Sequence, residues 1–199
     1  MLTQEQKEQA ETRINALKTD IMSAKTVNEI VQKHLIQPYP IIFPEETHNS
    51  LCREIATNFG INPHDCVLVG SSKLGYSVKP ARQWGFFNDE SDVDIALVSD
   101  KLFDQVWKEA LRYSESGGYW PSKNIFTKYL FQGWIRPDKF PPDSDYGFAK
   151  QWWEFYNNLS AKPEYGLPIK AGIYRDINFL EIYQSRCIQY CRTVEETNR

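Results

Sequence analysis

Apolar residues recur at spacings of three and four near the start of the chain, at Ala10, Ile14, Leu17, Ile21 and Ala24, which predicts an amphipathic helix with one narrow apolar stripe. Thr3 with Gln6 opens it in capping-box positions, and Thr26 with Glu29 repeats the device ahead of Val27, Ile30, Val31 and Leu35. Prolines at 38 and 40 end this second helix. Residues 1–36 therefore read as a helical arm, whose stripe suits either the chain's own domain or a short coiled coil with a second copy or another protein. From Pro44 onward, Leu51, Ile55 and Phe59 are four apart and Gly60 stops the pattern, as helix ends require.

The period then changes. Val67–Val69 and Ile95–Val98 are short β-branched runs and predict two strands. Residues 73–90 between them read as loop. A helix follows with Leu102, Val106, Trp107 and Ala110 on one face. The segment 114–144 is rich in Gly, Pro, Trp and Phe, with a short helix predicted over 125–131. A helix over 148–159, an extended piece over 167–174 and a last helix over 176–194 complete the pattern, with no internal repeat.

A length of 199 residues suits one well-filled core with an appendage. The division expected is an arm over 1–36 and a domain over 37–199, with a core motif region at 45–113 and an aromatic-rich helical part at 114–199. Composition adds mostly exclusions. With 23 Lys plus Arg against 26 Asp plus Glu the net charge is −3, so contact with a polyanion has to be local. Apolar runs are too short to span a membrane, and the polar, acidic start is not a signal peptide, which together imply a soluble cytoplasmic protein. The four cysteines, Cys52, Cys66, Cys187 and Cys191, are scattered, and His34, His48 and His64 do not stand at zinc-ligand spacing beside them. Reduced, partly buried thiols are the expectation.

Chemistry is written most clearly at Asp92-Val93-Asp94, which leads straight into the Ile95–Val98 run. Residues i and i+2 of a strand share a face, so both carboxylates point one way while the apolar run buries the strand. Paired oxygen donors suit Mg²⁺ or Mn²⁺. Upstream, the Val67–Val69 run enters Gly70-Ser71-Ser72, where a glycine lets backbone approach a phosphate and hydroxyls with turn amides hold its oxygens. The segment lacks the Lys-Ser/Thr pair of a Walker loop and is not G-x-G-x-x-G.

Together, VLVGSS at 67–72 and SDVDIALVS at 91–99 resemble the nucleotidyltransferase superfamily with a DNA polymerase β-like fold, in particular its compact bacterial members. The resemblance covers roughly residues 45–113, a third of the chain. It implies an α+β fold with a small mixed β-sheet flanked by helices. Gly70 and Ser71, with Ser72 and Lys73, would cradle the triphosphate, and Asp92 and Asp94 would hold Mg²⁺ or Mn²⁺. The implied reaction moves a nucleoside monophosphate from a nucleoside triphosphate to a hydroxyl of RNA (tRNA among them), protein or a small molecule. Among the compact bacterial members are toxin, antitoxin and phage-defence proteins.

Active members usually carry a third carboxylate on a later strand, to complete the metal site or act as base. Asp176 is the best candidate here, ahead of Glu181 and of Asp143 with Asp145, but it reads equally as a helix N-terminal residue because Ile177, Leu180, Gln184, Cys187, Ile188 and Cys191 follow helical spacing. The alternative function is a catalytically incomplete module that acts by binding nucleotide or protein. Two further readings stay open. The 73–91 loop, longer than in the most compact members, carries Lys73, Lys79, Arg82, Trp84, Phe86 and Phe87, as a substrate lid or as a surface loop packed on the core. Trp120, Trp134, Trp152 and Trp153, with Tyr119 and Phe155, suit core packing and a partner surface better than RNA binding, because no basic track accompanies them.

Overall fold

In the computed structural model, which describes residues 1–142 and 144–197, the protein is α+β. Its helices are α1 (Gln4–Ile21), α2 (Val27–Val31), α3 (Glu45–Phe59), α4 (Gly70–Leu74), α5 (Asp100–Glu115), α6 (Lys123–Phe131), α7 (Gly147–Ser160) and α8 (Ile177–Thr197). The strands β1 (Cys66–Val69), β2 (Val93–Val98), β3 (Trp134–Ile135) and β4 (Ile169–Tyr174) form a small mixed sheet in the order β1-β2-β4-β3. Strands β3 and β4 are antiparallel, with Trp134 opposite Tyr174 and Ile135 opposite Ile173.

Local chemistry accounts for the helix boundaries. Both capping boxes form: the Thr3 hydroxyl accepts from Gln6 N while Gln6 Oε1 accepts from Thr3 N, and Thr26 and Glu29 do the same for α2. Helix α2 runs on into a π-helical turn over Gln32–Ile36. Helix α3 ends where Gly60 takes φ +64°, the left-handed conformation that glycine adopts without a side-chain clash.

The chain groups into two compact units, one of residues 1–48, 68–94 and 181–199 and the other of 49–67 and 95–180. In the first, the predicted stripe is covered by the chain itself up to Ile21: Ala10 and Leu17 are fully buried, and Ile14 and Ile21 nearly so, whereas Ala24, its last predicted position, lies beyond the end of α1 and is exposed. Asp20, also buried, accepts hydrogen bonds from Lys25, from Lys33 at 2.7 Å and from His34 Nε2 at 2.7 Å. These contacts hold the Asp20 carboxyl far below the usual carboxylate range, with the Lys25 hydrogen bond contributing most.

In the second unit, Trp152 is 1% exposed, and the Phe59, Phe140, Phe148 and Tyr156 rings lie within 6.1 Å of it, centroid to centroid. The aromatic-rich half thus builds a core, with Trp120 Nε1 satisfied by the Lys139 carbonyl at 2.9 Å. Phe131 stands 91% exposed at the end of α6. None of the four cysteines is in a disulfide, and among the described residues no helix is long and apolar enough to cross a membrane.

Because Leu17 is fully buried among the arm's contacts, Leu17→Ala should lower the unfolding free energy by about 2–5 kcal/mol. Phe131→Ser should change it by less than about 0.5 kcal/mol. Urea unfolding of the two variants beside the parent protein reads both values.

Candidate functional site

Strand β1 buries Cys66 and Leu68 and ends at Val69 in extended conformation. The chain then reverses at Gly70, with φ +66°, and makes the five-residue helix α4, which Gly75 closes at φ +85°. A side chain at position 70 is disfavoured twice. The left-handed φ disfavours it, and a Cβ built there would lie 3.0 Å from Asp94 Oδ2. The glycine predicted to face a phosphate and the second carboxylate of the Asp-x-Asp motif are therefore in direct apposition.

Along 91–94 burial alternates: Ser91 and Val93 are buried, whereas Asp92 and Asp94 are half-exposed on the opposite face. Beyond them Ile95, Ala96 and Leu97 are buried and anchor β2. The entry to the strand is fixed by a turn in which Asn88 Oδ1 accepts from Glu90 N at 3.1 Å and Ser91 Oγ accepts from Asn88 N at 3.1 Å. Two like charges on one strand face repel, so the pair calls for a cation. Lys79 supplies one: its Nζ lies 3.4 Å from Asp94 Oδ2.

The other predicted cradle residues divide. Ser71 is half-exposed beside Gly70. Ser72 is fully buried, and its hydroxyl donates to the Val69 carbonyl at 2.9 Å. Lys73, expected on the phosphate, turns inward instead: it is 4% exposed, and its Nζ donates to the Ile36 carbonyl at 2.5 Å. Its own carbonyl accepts from Arg13 Nη1 at 3.2 Å and from Ile41 N at 3.0 Å. Lys73 thus ties α4 to the arm. Burial pushes its ammonium down to about 8, and the neighbouring Arg13 guanidinium adds to the effect.

The loop after α4 is built rather than open. Tyr76 and Phe86 form an antiparallel bridge, Ser77 N donates to Gly85 O at 2.9 Å and Trp84 N to Ser77 O at 2.8 Å. Trp84, at φ +64°, is held from outside the loop: its Nε1 donates to Glu195 at 3.2 Å, and Lys18 Nζ sits 5.0 Å from its ring centroid. Phe87 is buried. Lys79 and Arg82 stand exposed at the loop tip.

Asp176 follows the end of β4 and caps α8: its Oδ1 accepts from Asn178 N at 2.8 Å and from Phe179 N at 3.4 Å. Of its two readings, the helix-terminal one is the geometry found. Glu181 accepts from Gln32 Nε2 at 2.6 Å, Asp145 is exposed, and Asp143 lies outside the described residues. Among the described residues, no three His, Cys, Asp or Glu side chains gather in a way that holds a metal ion. The Asp92/Asp94 pair still fits a hard divalent cation by its chemistry: oxygen donors, partial exposure, a carboxylate that already faces an ammonium, and a glycine in place of any competing side chain. The pairing of Lys79 with Asp94 had no signal in the sequence beyond a cation in the intervening loop. Compared with known proteins, the chain matches no family model, no curated protein and no solved structure.

Between pH 8 and 10.5 the folded chain has released the Lys73 proton while the unfolded chain still holds it. Unfolding free energy should therefore rise with pH across that window, by up to about 3 kcal/mol. Lys73→Met should lack this rise. Urea unfolding at several pH values, taken as the difference between the two proteins, isolates Lys73 from other alkaline titrations.

Proposed function

We propose that this chain is a nucleotidyltransferase-like protein that binds a nucleoside triphosphate at Gly70 and Ser71 and a divalent cation at Asp92 and Asp94. The reaction is transfer of a nucleoside monophosphate to a hydroxyl of RNA, protein or a small molecule, with release of pyrophosphate. The apposition of Gly70 and Asp94 carries this reading, because it places a side-chain-free turn against a metal-type carboxylate. Bound Mg²⁺ or Mn²⁺ would supply charge neutralisation on the triphosphate. The chain's own part is positional. Strand β2 carries Asp94 and the extended residue just ahead of it carries Asp92, Gly70 leaves room for phosphate oxygens, and Lys79 at the loop tip adds positive charge. A cytoplasmic setting and a place in a bacterial defence or toxin–antitoxin system go with the resemblance of the two motifs. So does a protein or RNA partner.

One observation favours a second reading. Asp176, the candidate third carboxylate, is engaged as a helix cap, and a site of two carboxylates suits a module that binds metal and nucleotide without turnover. Transfer assays with each α-labelled ribonucleoside triphosphate and Mg²⁺ or Mn²⁺ separate the two, with the protein itself, tRNA and small hydroxyl compounds as acceptors. The enzyme reading predicts label transfer that falls about a hundredfold or more in Asp92→Ala/Asp94→Ala. In Asp176→Asn, which preserves the cap, unchanged transfer assigns Asp176 to the helix end alone. Nucleotide binding without transfer to any acceptor would establish the binding module. Absence of both would overturn the proposal.

A further inference from the structure

The loop tip that carries Lys79 is aimed by contacts outside itself. Its root is closed by the Tyr76–Phe86 bridge and by the Ser77 and Trp84 backbone bonds, and Trp84 is fixed by Glu195 and Lys18. Lys79 N donates to Ser77 Oγ at 3.1 Å, and Pro80 follows, which restricts the Lys79 backbone to the extended conformation it has, φ −71° and ψ 140°. From this fixed stem the flexible four-carbon side chain brings Nζ within 3.4 Å of Asp94 Oδ2. Lys79 and Asp94 side chains are 58% and 32% exposed, so water and solutes reach the contact. The ammonium therefore stands against the carboxylate oxygen that faces Gly70.

We infer that Lys79 is an exchange cation of the Asp92/Asp94 site: it neutralises Asp94 while the site is empty, gives way there to a divalent cation, and turns to phosphate oxygens when a polyphosphate enters. The inference rests on the nucleotide and metal reading above. Its physical content is a competition. An ammonium and a divalent cation cannot both occupy one oxygen of Asp94, and two positive charges a few ångströms apart repel. An incoming polyphosphate offers the displaced ammonium a denser negative charge than a single carboxylate does. The exposed geometry keeps the pair weak enough to exchange. Lys79 accordingly opposes metal binding and favours phosphate binding, two effects of opposite sign from one side chain.

That opposition is the test. Calorimetry would measure Mn²⁺ alone and, separately, inorganic tripolyphosphate alone in a metal-free buffer, for the parent protein, Lys79→Met and Lys79→Arg. Lys79→Met should bind Mn²⁺ about three- to tenfold more tightly and tripolyphosphate about three- to tenfold more weakly, with both changes shrinking at high ionic strength. Lys79→Arg, which keeps the charge, should stay near the parent values. Loss of affinity for both probes in Lys79→Met, or no change in either, overturns the inference and leaves the site reading standing. A parent protein that binds neither probe overturns both.

Discussion

The close approach of the Gly70 backbone to the Asp94 carboxylate is the constraint on which the candidate site depends. A residue with a side chain would meet Asp94 Oδ2 at 3.0 Å and would also have to hold a φ of +66°. Only glycine satisfies both conditions without displacing the carboxylate. The turn that results sends the chain from a buried strand into a short helix, so Ser71 faces outward while Ser72 and Lys73 face inward. One backbone position thus sorts four consecutive residues into a solvent-facing side and a side that holds the fold.

The inward face gives the arm a role that its own sequence does not announce. Lys73 Nζ reaches the carbonyl of Ile36 at the end of the π-helical turn, and Arg13 reaches back from α1 to the Lys73 carbonyl and to the Tyr39 carbonyl. A buried lysine is costly when charged, and here it has a carbonyl partner and a depressed affinity for its proton rather than a carboxylate. The Asp20 cluster pins the other end of the arm's first helix to the segment that follows. The arm is therefore part of the support of the Gly70 turn, held through the buried Asp20, His34 and Lys73 and the more exposed Lys25, Lys33 and Arg13.

Elements with dense local signals were legible in the sequence. The two capping boxes, the Gly60 stop and the β-branched runs at 67–69 and 95–98 each carry their cause within a few residues, and each recurs in the fold. Strand β3 has only two residues, and its existence depends on Tyr174 and Ile173, which no neighbour of Trp134 encodes. Helix α4 is a single turn set by Gly70 and Gly75, too short for periodicity to register. In the site, the carboxylate pair and the glycine were legible because strand alternation and glycine chemistry are local. The inward course of Lys73 and the pairing of Lys79 with Asp94 were not, since both depend on segments brought together only by folding. Asp176 was ambiguous for a different reason: a carboxylate between a strand and a helix suits either a cap or a ligand, and in the fold its Oδ1 accepts from two backbone N–H groups of α8.

Whether metal and nucleotide meet at this turn is read most directly from a crystal structure of the protein with Mn²⁺ and a non-hydrolysable nucleoside triphosphate, in which the metal is located by anomalous scattering. The expected result is a manganese peak at the Asp92 and Asp94 carboxylates, with phosphate density over Gly70 and Ser71. Manganese and phosphate bound at another place, or neither bound at concentrations that saturate the protein in solution, would contradict it.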